Sequence, residues 1–173
     1  MSAAHRHQIL SIAQQGLHGQ ARCDAVGGIA GFVAGTRIAT PMGYVAVEQL
    51  EVGDAVLTAE SGYATILWAG AIRLPGQGAF APILFETGVM DNIRPLRVGP
   101  GHLVRLEGGQ AELRFDTGAL LAEARRFVDG YGIRIDESQA TVTYIHLVLE
   151  HHEIILAENV ACETLRPGSE TAV

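Results

Sequence analysis

From Gly31 to about residue 72 the chain is a succession of short apolar, β-branched runs, each closed by turn chemistry, and this pattern restricts the fold most. RIAT and YVAV flank Pro41-Met42-Gly43, where Pro presets φ and Gly accepts φ > 0, so the stretch reads as a hairpin. Glu51-Val52-Gly53-Asp54 breaks the chain before AVLT, with Asp54 placed to satisfy local backbone amides, and Ser61-Gly62 turns it again before YATILWAG. Runs of this length and spacing predict an all-β sandwich or barrel. With 173 residues the chain can bury a real core, and its 21 glycines suit a turn-rich backbone.

The remaining chain is read around that frame. Residues 4 to 15 predict a short amphipathic helix, and the glycine-punctuated stretch up to residue 30 a linker. Residues 74 to 92 read as loop with an apolar centre. IRPLRVGPGHLVRL reads as strand, Gly-Pro-Gly turn, strand. GALLAEARRFV, residues 118 to 128, predicts the one helix of the main body. Leu120, Leu121, Ala124 and Phe127 stand at helical spacing, and Asp129-Gly130 forms a stop. TVTYIHLVL and EIILAEN, joined at Glu150-His151-His152, predict a closing hairpin packed against the strands of residues 31 to 72. Ile38, Val45, Val47, Val56, Leu57, Ile66, Trp68, Leu147 and Ile155 are the expected core.

Charge and cysteine usage exclude several functions. A formal net charge of −7 with scattered arginines offers no basic stripe for a phosphate backbone, so no nucleic-acid partner is expected. No run approaches the ~18 to 20 apolar residues of a membrane span, and no membrane partner is expected either. The N-terminus lacks a signal-peptide apolar core, which makes the cytoplasm the default location and leaves export to a signal of another kind. Cys23 and Cys162 form neither a zinc box nor a disulfide framework. His146, His151, His152 and Glu153 cluster in sequence, but the adjacent pair points to opposite faces of a strand. Solvated turn histidines are the expected reading, and no metal or other cofactor is expected.

GFVAGTRIATPMGYVAVEQLEVGDAVLT (residues 31 to 58) resembles the opening block of a Hint domain, the self-processing β-fold shared by inteins and hedgehog C-terminal regions. YIHLVLEHHEIILAENVACETLRPG (residues 144 to 168) is similar to the closing block of a bacterial subgroup of that superfamily. VGPGHLV resembles its internal block, a hydroxyl residue three positions before a histidine. The resemblance implies an all-β Hint-like fold with one short helix over residues 31 to 168. An N-terminal segment and linker (1 to 30) precede it, and a tail (169 to 173) follows.

It also implies a site and a history. The family's first residue, a Cys or Ser, attacks the preceding carbonyl; here that position is Gly31, and the scissile bond would be Ala30–Gly31. The internal histidine aligns with His102, which would bond the scissile amide and protonate the leaving nitrogen, and the hydroxyl position is Gly99. The splicing members end in His-Asn. ENVACETL has neither there, and Asn159 falls too early. Cys162 is kept as a candidate thiol that the fold could bring near Gly31, against the alternative of a small buried apolar residue.

The expectation is therefore a degenerate, non-enzymatic Hint domain with a scaffold or interaction role, its own N-terminal segment being the would-be substrate and its protein partner unidentified. Two alternatives stand beside it. One is an active domain, capable of an N-to-S acyl shift, trapped by an engineered Cys-to-Gly change at residue 31. The other is a small β-barrel ligand-binding protein, which requires residues 31 and 102 to lie far apart.

Overall fold

The computed structural model describes residues 28–167, and the expected N-terminal helix and most of its linker lie outside them, as does the tail. The described chain forms two antiparallel sheets. The larger contains β1 (Phe32–Val33), β4 (Ala55–Leu57), β5 (Tyr63–Pro75), β6 (Ile83–Phe85), β7 (Leu96–Val98), β10 (Ile133–Ile135) and β11 (Thr141–Leu149). Its strand order is β10-β6-β7-β1-β11-β5-β4. The smaller contains β2 (Arg37–Thr40), β3 (Gly43–Ala46), β8 (Leu103–Glu107), β9 (Ala119–Glu123), β12 (Ile154–Ala157) and β13 (Val160–Glu163), in the order β3-β2-β12-β13-β8-β9.

The expected hairpin closes as the sequence implies. Thr40 pairs with Gly43 across Pro41-Met42, Gly43 has φ of 105°, and the Thr40 hydroxyl donates to the Gly43 carbonyl. Asp54 also behaves as read, its carboxylate accepting the Glu51 amide at 2.8 Å. The main core gathers Ile38, Val47, Val56, Ile66, Leu147 and Ile155 with Phe32, Phe85, Leu96 and Leu149. Val45, Leu57 and Trp68 are only half-buried. The Trp68 indole lies over Gly70, where a β-carbon would meet it at 2.1 Å, rather than inside the core.

Three expectations fail for the same reason: pairing partners at long sequence separation override local pattern. Within residues 74 to 92, read as loop, Ile83–Phe85 forms β6, paired with β7 and β10. Residues 119 to 123 form a strand whose five residues pair with β8, from Glu107↔Ala119 to Leu103↔Glu123, and the Ala124–Phe127 stretch after it is a 3-10 turn. Good helix formers yield here to the unpaired hydrogen-bonding edge of β8. The helix, α1, is Gly109–Phe115 instead, ended by Asp116 in the left-handed conformation.

The closing hairpin also differs. β11 pairs with β1 and β5 in the larger sheet, whereas β12 pairs with β13 and β2 in the smaller. The true hairpin is β12–β13, turned by Glu158 (φ 47°) and Asn159 (φ 76°), the two positive angles of a type I′ turn. Glu158 fastens that turn to β2, accepting the Arg37 amide and pairing with its guanidinium at 2.9 Å.

β11 is central and covered on both faces: the main core lies on one side and a small cluster of Val33, Val142 and Tyr144 on the other. This explains its nearly unbroken apolar run and buries whatever polar residue it carries. Phe85 is fully buried in β6, its ring 6.4 Å from that of Phe127. Phe85→Ala should lower unfolding free energy by about 3–5 kcal/mol in urea titrations, with the native circular dichroism spectrum retained.

Candidate functional site

The site forms where the first strand of the domain passes between two others. Phe32 of β1 pairs with Val98 of β7 on one side and Ile145 of β11 on the other. Before it, residues 29 to 31 continue alongside the 99–101 turn. The Gly99 amide donates to the Gly31 carbonyl and the Gly101 amide to the Ile29 carbonyl, each at 2.9 Å. The 99–101 turn is closed by the His102 amide donating to the Gly99 carbonyl at 3.0 Å.

His102 is thereby delivered to residue 31. The Gly31 N–H donates to His102 Nδ1 at 3.0 Å, and the Phe32 ring meets the imidazole edge-on with centroids 4.5 Å apart. The reading that required residues 31 and 102 to lie apart is overturned by this contact. An Nδ1 that accepts the amide proton carries no proton itself, so the ring proton of neutral His102 stands on Nε2.

Glycine at 31 is built into the backbone. Its φ of 111° lies where side-chain-bearing residues are strained. A β-carbon there would meet His146 Cε1 at 3.0 Å, His146 Nε2 at 3.1 Å and Tyr144 Cβ at 3.2 Å. Gly99 is tighter still, since its β-carbon would lie 2.3 Å from the Ile29 carbonyl oxygen and 2.9 Å from the Ala30 carbonyl carbon. The chain before Gly31 thus occupies the space that any side chain at 99 would need.

His146 is the residue sequence reasoning missed. It is buried in β11, opposite Gly70 of β5 and against Gly31 of the entering segment, not a solvated turn histidine. The available signal was its place inside TVTYIHLVL, a run apolar enough to be covered on both faces. His151 and His152 do lie exposed in the turn, where His152 pairs with Glu163 at 2.5 Å. Among the described residues no group of three or more His, Cys, Asp or Glu is placed to hold a metal ion.

Cys162 is corrected as a candidate thiol. It packs fully buried in the main core, opposite Ile155 and Val104, and is absent from the lining of the cleft at Gly31. Burial pushes its thiol far above the ordinary range, which keeps it protonated and inert. Asn159 is likewise elsewhere, in the β12–β13 turn, donating to the Asp91 carbonyl. The cleft measures about 50 Å³ and is bounded by Ala30 and Gly31, by His102, by His146, and by Glu163 to Leu165 of the closing segment.

A family model for the Hint domain matches residues 30–169, and the chain belongs to that family. It is accordingly related to self-splicing and self-processing modules. No curated protein matches the chain. Among solved structures it is similar to a bacterial intein-like domain from Clostridium thermocellum, at 20% identity over 79% of this chain and 99% of that one, with a TM-score of 0.48. It is also similar to the MchDnaB-1 intein (15% identity, 77% and 99% covered, TM-score 0.48) and the gp41-1 intein (13%, 78% and 98%, TM-score 0.47).

Burial lowers both imidazoles, His102 to about 3, with His146 adding a smaller repulsion, and His146 to about 4. Both are neutral at pH 7. In the unfolded chain each takes a proton near the ordinary value of about 6.5, so the unfolded state binds more protons below that pH. Stability should be full above pH 6.5 and fall as pH drops towards 4, with a slope reaching about 1.4 kcal/mol per pH unit for each histidine. Urea titrations from pH 8 to 4 check this, and His146→Phe should flatten the acid limb. Gly99→Ser should cost about 1–3 kcal/mol through overpacking against the Ile29 and Ala30 backbone, read in the same titrations.

Proposed function

We propose that this protein is a Hint domain that no longer processes itself and instead keeps residues 1 to 30 permanently joined to a folded module that serves as a scaffold or interaction unit. The observation that carries this reading is the glycine at position 31, held at φ 111° with His146 against its α-carbon. An acyl shift begins with a side-chain hydroxyl or thiol attacking the preceding carbonyl, and glycine has none.

Two further features support it. Gly99 withholds the hydroxyl that would polarise the Ala30 carbonyl, and the backbone has closed over that space. His102 is in contact with the scissile nitrogen but as an acceptor, with its ring proton on the far nitrogen, so it has no proton to hand to a departing amine. A site that had lost only a sulfur or oxygen atom would keep room for it. Here a φ that glycine adopts freely and cysteine does not, together with the His146 contact, favours a glycine long accommodated by its neighbours over a single engineered change from cysteine.

Intact mass of the full chain and of Gly31→Cys, incubated with dithiothreitol or hydroxylamine, tests the proposal. Neither protein should release a fragment ending at Ala30. Release from the variant alone would mark a site silenced at one residue, and release from the unaltered chain would sink the reading.

A further inference from the structure

Among the described residues three buried side-chain polar atoms have no hydrogen-bond partner: His102 Nε2, His146 Nε2 and Glu163 Oε1. All three belong to residues that line the cleft beside Gly31. They come from three separate elements, the turn before β8, the middle of β11 and the end of β13, so it is the tertiary fold that brings the three residues to one cleft. Both histidines are 4% exposed. Glu163 Oε1 lies 2.5 Å from His152 Nε2 without receiving an aligned hydrogen bond.

The geometry points to a built site for one internal water molecule, held between His102, His146 and Glu163. The two imidazole nitrogens are left without a partner, and Glu163 Oε1, ion-paired with His152 and 3.8 Å from Arg166 Nη2, keeps lone-pair capacity for a further donor; internal waters commonly make about three hydrogen bonds to such groups. A cleft of about 50 Å³ is roomy enough for one such molecule.

The proton count fixes how the water is bound. His102 Nδ1 accepts the Gly31 amide, so its Nε2–H donates to the water oxygen. The two water protons then go to the two acceptors, Glu163 Oε1 and His146 Nε2. That requires neutral His146 to carry its proton on Nδ1, the opposite tautomer to His102. The site does not depend on whether Gly31 has abolished processing, because none of its three ligands is residue 31.

A crystal structure showing ordered solvent, together with long-range proton–nitrogen correlation spectra of the labelled full chain at pH 7, tests the assignment. The expected result is a solvent peak bridging the three atoms, His102 protonated on Nε2, and His146 protonated on Nδ1. In His146→Phe and in Glu163→Leu the slowly exchanging His102 Hε2 signal should be lost, since each removes one acceptor for the water. A cleft without a solvent peak, either histidine in the other tautomer, or an Hε2 signal unchanged in both variants would overturn the proposal. Should neither variant fold, the unaltered chain's density and tautomers decide alone.

Discussion

The whole arrangement hangs on how the five residues before and within β1 are held. Their amides and carbonyls are shared between the Gly99–Gly101 turn on one side and β11 on the other. A backbone gripped on both edges has little freedom to adjust, so every neighbour must fit it. Gly99 is small because the Ile29 and Ala30 peptide lies on it, Gly31 is left-handed because β11 presses an imidazole against it, and His102 faces the junction because the turn is closed by its own amide. The packing at the site follows from this strand insertion and not from any one side chain.

Neutrality of the two histidines follows from the same constraint. Both imidazoles are buried by strands that must pack closely to grip the entering segment, and burial disfavours their charged forms. A histidine held neutral this strongly is a poor proton donor near pH 7. Glu163 also lines the cleft, and its carboxylate pairs with His152 of the surface turn.

Much of the opening block was legible because its information is local. The Pro41-Met42 hairpin and the Asp54 turn are decided by residues within four positions of one another. The contact between residues 31 and 102 was legible only through the family resemblance, since 71 positions separate them. What escaped reading was decided at a distance. β9 has the composition of a helix and becomes a strand because β8 offers it an edge, and β12 leaves β11 to pair with β2 and β13 in the other sheet. His146 escaped for a subtler reason: a histidine between isoleucine and leucine gives no hint that the face it points to is closed by Gly31, just ahead of β1 and far earlier in the chain.

β11 carries two unlike neighbours along one of its edges. β1 runs antiparallel beside Tyr144 and Ile145, and where the entering chain turns away Leu165 takes over, bridging Val148 in parallel with its amide on the Leu147 carbonyl. Entry and exit are therefore adjacent rungs of the same ladder. A polypeptide interrupted at these two rungs would find its severed ends side by side, so the described module could be grafted into a surface loop of a host without stretching either body.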